Sequence, residues 1–212
     1  MSIDTSTLTV RYMQLADIPE VMEIDHASFK PPWPERSYRF ELNESQVSYM
    51  VVLEQLEERE LTGWKRIMNS LTGNLDTVEK QPVIVGYGGL WKIAEEAHIS
   101  TIASHPDYRG KKYGEILLAS MVQRAIYLKA EYIVLEVRVS NTVAQRLYRK
   151  YGFETQGVKK DYYHHDLEDA YDMRLFLTDD NIQRVKQLVG KLCNHISYKD
   201  RYANTLHPRL GR

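Results

Sequence analysis

At 212 residues the chain is long enough for one domain with a substantial core and short for two. Its 28 basic and 29 acidic residues give a formal charge of -1, so charge gives no case for a nucleic-acid partner, and no DNA partner is expected. The single cysteine, Cys193, excludes an intrachain disulfide, and no apolar run approaches the roughly 20 residues of a membrane span. With a polar N-terminus unlike a signal peptide, these features predict a cytoplasmic protein with no membrane association.

The first elements are a strand and two helices. Alternating residues 7–13 predict the strand, and Asp17 with Glu20 form a capping-box pattern that predicts a helix over residues 18–27. Three prolines then exclude a helix until residue 34, after which residues 34–42 predict a short second helix.

Three strands follow, interrupted by an insert. Segments rich in Val, Ile and Tyr predict strands over residues 47–53, 83–91 and 97–104. The insert, residues 54–82, has apolar residues spaced to fit one or two short amphipathic helices.

The second half alternates helices and strands. Apolar spacing predicts helices over residues 114–128 and 141–152, the latter ended by Gly152, and strands over residues 132–139, 153–158 and 172–177. Asp179 or Asp180 would cap a last helix, and the polar stretch from Ser197 predicts loose order. The order predicts an α/β fold with a mixed sheet and helices on both faces, in one domain over residues 1–177 followed by a C-terminal helix and tail, 178–212.

A basic, glycine-containing turn links the strand ending at Ser104 to the next helix. Residues 109–114 read Arg-Gly-Lys-Lys-Tyr-Gly, and Gly110 and Gly114 let the backbone approach a ligand closely. Backbone N–H groups at a helix start, with these cations, suit a phosphate. The turn lacks the Gly-Lys-Ser/Thr ending of nucleoside-triphosphate loops and the dinucleotide glycine pattern.

With its flanking residues, this turn resembles the coenzyme A pyrophosphate loop of the GNAT N-acetyltransferases. The run from Leu135 to Asn141, with Tyr148 and the Tyr-Gly-Phe at residues 151–153, is similar to the RimI branch of that family. The resemblance covers residues 8–177 without the insert. RimI-type enzymes acetylate the N-terminal alanine of a small-subunit ribosomal protein. The resemblance therefore implies a mixed sheet with splayed middle strands, acetyl-CoA as cosubstrate, no metal, and a protein N-terminus, that of a ribosomal protein, as partner.

The family's catalytic residues correspond to Glu136, a general base, and Tyr148, a general acid. Glu136 lies in an otherwise apolar strand, where desolvation is expected to raise its pKa. From the residues alone it could instead pair with Arg138 on an exposed face, and Tyr148, on an apolar helical stripe, could be core.

The resemblance implies a coenzyme site along the strand end and the loop. The backbone amide of Ala103 is expected to polarise the thioester carbonyl. Where the family usually has glycine, this chain has Lys112, which is expected to take an allowed conformation and reach a phosphate. The implied coenzyme-binding residues are Ile102, Ala103, Ser104, Arg109, Gly110, Lys111, Lys112, Tyr113, Gly114, Glu115 and Asn141, the last also a helix N-cap.

Aromatic residues are expected to wall the acceptor groove, although each could instead be packing: Phe29, Trp33, Tyr162 and Tyr163. His164 and His165 do not predict a metal site, because adjacent histidines in a strand point to opposite faces. Two other functions stay open: a GNAT enzyme acting on a small amine or a lysine side chain, and a coenzyme-binding partner protein without turnover. The roles of insert and tail, and the oligomeric state, are not set by the sequence.

Overall fold

The computed structural model describes residues 8–60 and 78–208, which form one mixed sheet flanked by helices. Its strand order is β6-β7-β5-β4-β3-β2-β1-β8. The strands are β1 (Leu8–Tyr12), β2 (Ser48–Glu60), β3 (Val78–Ile93), β4 (Glu96–Ser104), β5 (Tyr132–Arg138), β6 (Glu154–Tyr163), β7 (Glu168–Phe176) and β8 (Tyr198–Asp200). The helices are α1 (Ile18–Ser28), α2 (Glu35–Asn43), α3 (Tyr113–Tyr127), α4 (Thr142–Tyr151) and α5 (Asp179–His195). The predicted fold class is confirmed, and none of these helices is long and apolar enough to cross a membrane.

Two hydrophobic clusters cover the two faces of the sheet. Helix α3 is buried along most of its length against one face, together with α4 and α5. Helices α1 and α2 cover the other face through Val21, Ile24 and Tyr38. Because side chains alternate along a strand, the residues that face α1 and α2 form a separate surface across β2, β3 and β4.

Helix α1 begins where predicted but without the predicted cap. Asp17 pairs with Arg11 at 2.7 Å and accepts from the Gln14 amide, while Glu20 accepts from the Ile84 amide at 2.9 Å. Both carboxylates therefore join the start of the helix to the sheet, and the capping box that Asp17 closes belongs to the 3-10 turn Leu15–Asp17 before α1. Helix α5 is capped by Thr178, whose hydroxyl accepts from the Asn181 amide, and not by Asp179 or Asp180.

The helices predicted for the insert are wrong for its described residues. β2 and β3 pair antiparallel through to Glu60 and Val78, so residues 54–60 and 78–82 extend one long hairpin. Cross-strand pairing, including the Lys80–Glu58 ion pair at 3.8 Å, outweighs the helical propensity of the Glu-rich segment. The remaining insert, 61–77, lies outside the described residues.

The C-terminal segment is packed, contrary to the predicted loose order. β8 pairs in parallel with β1, and Tyr202 is fully buried, with its hydroxyl donating to the Tyr49 carbonyl at 2.9 Å. The buried guanidinium of Arg124 lies 4.9 Å from the Tyr49 ring and 5.9 Å from the Tyr202 ring, and it donates to the Thr205 carbonyl. Tertiary burial of Tyr202 and the contacts of Arg124 order a segment whose composition is polar.

Strands β4 and β5 separate near the middle of the sheet. Their parallel pairing ends at His98 and Val134, although β4 runs on to Ser104 and β5 to Arg138. β3 still pairs with β4 as far as Ser104, and β7 pairs with β5 as far as Arg138. The predicted splay is therefore present, with a gap between two strand edges.

Candidate active site

The basic turn leads into the N-terminus of α3 beside the splayed end of β4. Gly110 has φ +79°, and a Cβ added there would meet no atom within 4 Å. A Cβ on Gly114 would lie 3.5 Å from the Ser104 hydroxyl, so the helix start and the strand end approach closely. Arg109, Lys111 and the glycine are exposed. Glycine backbone, exposed cations and a helix N-terminus together suit a diphosphate.

The backbone of Lys112 lies in the left-handed region, so the prediction of an ordinary allowed conformation is wrong. Its φ is 63° and its ψ 17°, and as N-cap of α3 its side chain makes no capping hydrogen bond. For a residue with a Cβ, this backbone conformation costs about 1 kcal/mol of strain. The chain therefore keeps the backbone shape of a glycine at this position while placing a lysine there.

Two predicted coenzyme residues are engaged by the protein. The Glu115 carboxylate is buried and accepts from Lys150 and from the Tyr151 hydroxyl, so this side chain ties α3 to α4. The Tyr113 hydroxyl donates to the Gln55 side chain at 2.6 Å, and that contact joins α3 to the extended hairpin. Only the backbones of these two residues remain candidates for coenzyme contact.

The hydrogen bonds between β4 and β3 show which β4 amides point away from β3 and face the gap. The His105 amide donates to the Val85 carbonyl at 2.9 Å, in register with the Tyr87–Ala103 pair. Because backbone groups alternate sides along an antiparallel strand, the amide of Ala103 points towards β3, and those of Ile102 and Ser104 point into the gap. The amide of Ala103, predicted to polarise the thioester, therefore points away from the gap, and the amides of Ile102 and Ser104 face it.

Glu136 lies on β5, on the sheet face covered by α1 and α2. Its Oε2 is 2.8 Å from His98 Nε2, and its Oε1 is 2.5 Å from Lys159 Nζ. Arg138 pairs instead with Asp166 and Glu168, at 2.8 and 2.7 Å, so the Glu136–Arg138 surface pair is not formed. The carboxylate thus lies between an imidazole and an ammonium group.

This network reverses the predicted pKa shift of Glu136. Burial alone would raise its pKa, but hydrogen bonds and charge from His98 and Lys159 outweigh that effect and lower it to about 2. The carboxylate is ionised at neutral pH, and it is a weaker base than desolvation alone would make it.

His98 and Lys159 were not among the predicted site residues. His98 lies opposite Trp91 on β3, its ring centroid 5.5 Å from the Trp91 ring. Lys159 comes from β6, two strands away from Glu136 in the sheet order. One sequence signal existed for His98, a polar residue alternating with the apolar Ala97 and Ile99, but its partner follows only from the tertiary register.

Tyr148 is buried on α4, with its ring centroid 5.9 Å from Phe153. Burial raises the pKa of its hydroxyl, and the nearby Tyr163 hydroxyl raises it further. A phenol with a raised pKa keeps its proton at neutral pH, so it can donate. Asn141 is the predicted N-cap: its Oδ1 accepts from the Ala144 amide at 3.1 Å.

Aromatic side chains lie on both sides of Glu136. The Trp33 ring stacks 6.3 Å from Trp91, whose indole N–H donates to Glu41 at 3.0 Å. Phe29 and Trp33 both pack on the core beneath α1 and α2, which is the structural role left open for them.

On the other side of Glu136, the Tyr162 side chain is 40% exposed. The Tyr163 ring packs against Arg138, whose guanidinium carbon lies 3.9 Å from the ring centroid. Tyr162 is therefore better placed than Tyr163 to meet an acceptor.

A buried polar cluster supports the Trp33 side of this groove. Asp25, 1% exposed, accepts from the Trp33 amide at 2.7 Å and from the Tyr87 hydroxyl. That hydroxyl also accepts from Tyr38 and Thr101, at 3.2 and 3.3 Å. Thr101 lies on β4 next to Ile102, so the cluster joins the loop that carries Trp33 to β4.

Comparison with known proteins identifies the family to which this chain belongs. The model of the acetyltransferase (GNAT) family matches residues 18–153. The chain belongs to the GNAT acetyltransferase family. It is 36% identical over 164 residues to a Bacillus subtilis protein assigned as a [ribosomal protein bS18]-alanine N-acetyltransferase, covering 77% of this chain and 92% of the relative.

Solved GNAT structures share the fold. The ribosomal-protein-S18-alanine N-acetyltransferase from Escherichia coli has a TM-score of 0.61 at 21% identity, covering 81% of this chain and 94% of that one. The yncA protein of Salmonella typhimurium, described with its cofactor acetyl-CoA, has a TM-score of 0.59 at 19% identity, covering 82% of this chain and 96% of that one.

As a GNAT acetyltransferase, this chain is an acetyl-CoA-dependent N-acetyltransferase, and its residues fit that cosubstrate. The α3 N-terminus and exposed loop cations suit the diphosphate, and the gap-facing amides of Ile102 and Ser104 suit an extended amide-containing arm. The family match includes the loop, Glu136 and Tyr148, whereas β6, β7 and the C-terminal segment lie outside it.

Proposed function

We propose that this chain acetylates the N-terminal α-amine of a protein, as a RimI-like enzyme acting on a ribosomal protein that begins with alanine. The 36% identical relative assigned to bS18 alanine supports that acceptor. The observation that carries the proposal is the Glu136 carboxylate, held by His98 beside the gap between β4 and β5. An ionised carboxylate at that point suits an ammonium group brought next to the cosubstrate.

Binding of the cosubstrate would use the backbone more than side chains. The α3 N-terminus, with Gly110 and the cations at 109, 111 and 112, would hold the diphosphate. The amide of Ser104 would hold the arm, and that of Ile102 would stabilise negative charge on the carbonyl oxygen. When bound, acetyl-CoA supplies an acetyl thioester that an amine can attack directly, within a ternary complex.

Proton removal from the acceptor would fall to Glu136 and His98 together. A carboxylate with a pKa near 2 is a weak base on its own. Its hydrogen bond to His98 Nε2 orients the imidazole, and in the tautomer that carries its proton on Nε2 the other ring nitrogen can accept one. Glu136 would therefore bind the ammonium and orient the histidine that takes its proton.

Tyr148 would return a proton to the departing sulfur. Its raised pKa keeps the phenol protonated at neutral pH, which a general acid requires. These protein groups supply both proton movements, so we propose that the reaction needs no metal. Trp33 and Tyr162 would wall the groove in which the peptide lies extended.

Mass spectrometry of acetylated peptides tests this proposal. The enzyme is incubated with acetyl-CoA and three acceptors: an Ala-starting peptide, the same peptide with a blocked N-terminus and one lysine, and spermidine. We expect modification of the α-amine of the first peptide. Acetylation of only the lysine or the polyamine would instead identify the small-amine or lysine enzyme.

Two variants test the assigned chemistry. Glu136→Gln and His98→Gln should each lower kcat by about 10²- to 10⁴-fold, with acetyl-CoA affinity unchanged by calorimetry. Glu154→Gln, which removes an exposed carboxylate from β6, is the matched control. Wild-type turnover in either variant would remove that residue from the mechanism, and loss of coenzyme affinity would indicate a structural role.

A further inference from the structure

Both oxygens of the Glu136 carboxylate are already engaged by protein groups. Oε2 bonds His98 and Oε1 bonds Lys159, while the side chain of Glu136 is only 10% exposed. Each carboxylate oxygen can accept a second hydrogen bond, but the Tyr162 hydroxyl also reaches Glu136 and little of the side chain is exposed. An incoming ammonium therefore gains room beside the carboxylate by replacing one of its present partners. The question is which partner can leave.

His98 is held more firmly than Lys159. Its side chain is 23% exposed, lies within the paired part of β4 and packs edge-on against Trp91. The Lys159 side chain is 42% exposed, on the edge strand β6. A flexible lysine stem on an edge strand regains rotamer freedom when released, so it leaves at lower cost than a packed imidazole.

Lys159 also matches the acceptor chemically. It presents an ammonium group to Glu136 at 2.5 Å, as a bound α-ammonium would. After release it would stay near the Tyr162 ring, which its Nζ already approaches to 5.5 Å. Tyr162 is one of the residues assigned to the acceptor groove, so lysine and acceptor compete for the same place.

We propose that the acceptor's ammonium displaces Lys159 from Glu136, and that Lys159 is a positioning residue which holds the carboxylate when no acceptor is bound. The inference rests on the proposed function for the position of the acceptor site. Binding of a cationic acceptor then exchanges one ammonium group for another at Glu136. A neutral acceptor, in contrast, would have to displace the Lys159 ammonium without supplying a positive charge in its place. Lys159 thus favours cationic acceptors over neutral ones.

Peptide kinetics with Lys159→Met test this exchange, because methionine keeps most of the stem and removes the charge. The KM for the peptide should fall about two- to five-fold, the range set by an exposed ion pair, without a loss of kcat. Lys159→Arg, which keeps the ion pair, should leave KM equal or higher. Lys160→Met is the matched control, since Lys160 pairs with Asp169 at 2.6 Å, and its KM should match wild type.

A higher peptide KM or a lower kcat in Lys159→Met would overturn the proposal, because Lys159 would then assist the acceptor or the chemistry. An unchanged KM would also overturn it, since no competition would exist. Circular dichroism verifies folding, and Lys159→Gln provides a second neutral variant.

The kinetics are measured with whichever amine the wild-type enzyme acetylates. Calorimetry of the Ala-starting peptide in the presence of CoA compares the peptide affinity of Lys159→Met with that of the wild type without turnover. A wrong acceptor class therefore refutes the proposed function while the Lys159 comparison still gives an answer.

Discussion

Replacing Glu136 by glutamine should make the free energy of unfolding depend less on pH in the acidic range. In the folded protein the pKa of Glu136 is lowered from 4.5 to about 2, so its contribution is present above the unfolded value and lost as pH falls towards 2. At 1.36 kcal/mol per pKa unit the full effect is about 3 kcal/mol, of which roughly two thirds is lost by pH 3. Lys159 is 42% exposed, and solvent screening reduces the expected change to about 1 kcal/mol.

Urea unfolding at pH 7 and pH 3 measures this effect. The free energy of unfolding of the wild type should exceed that of Glu136→Gln by about 1 kcal/mol more at pH 7 than at pH 3. The other carboxylates titrate in both proteins and cancel in the difference, and Glu154→Gln controls for the loss of one exposed carboxylate. A difference that is the same at both pH values would refute the ion-pair account of the Glu136 pKa.

The remaining predictions concern the loop and the C-terminal segment. Lys112→Gly should raise the free energy of unfolding by up to about 1 kcal/mol by relieving the left-handed strain, whereas Lys111→Gly should not; destabilisation by Lys112→Gly would contradict the strain. Gly114→Glu should weaken acetyl-CoA binding in calorimetry because it places a negative charge at the α3 start, whereas Gly157→Glu, in open space, should not. Tyr202→Ala should cost about 3–5 kcal/mol in urea unfolding, the range for a large buried aromatic; a cost below about 1 kcal/mol would show that the segment adds little.

The sequence predicted elements whose signals are local. Helix α3 has apolar residues every three to four positions, and α4 ends at Gly152 with φ +98°, as its glycine indicated. The capping asparagine at 141 was equally local and is confirmed. Such features depend on neighbours a few residues away, so spacing alone is enough to predict them.

Features set by distant partners were mispredicted. The strand conformation of residues 54–60 comes from pairing with residues 78–84, and the buried Tyr202 comes from its contact with Tyr49. The pKa of Glu136 was predicted in the wrong direction because burial was visible in the sequence while the two donors, His98 and Lys159, were not. The Lys112 backbone follows the loop's geometry instead of the residue's own preference.

The parallel contact between β1 and β8 has a consequence for folding order. Leu8 and Tyr198 are partners although 190 positions separate them in the chain. Until that late segment has been synthesised, the outer edge of β1 offers unpaired N–H and C=O groups to any other extended chain. Nascent chains therefore pass through a long interval in which strand exchange with a neighbour competes with completion of their own sheet, and closure by β8 ends that competition.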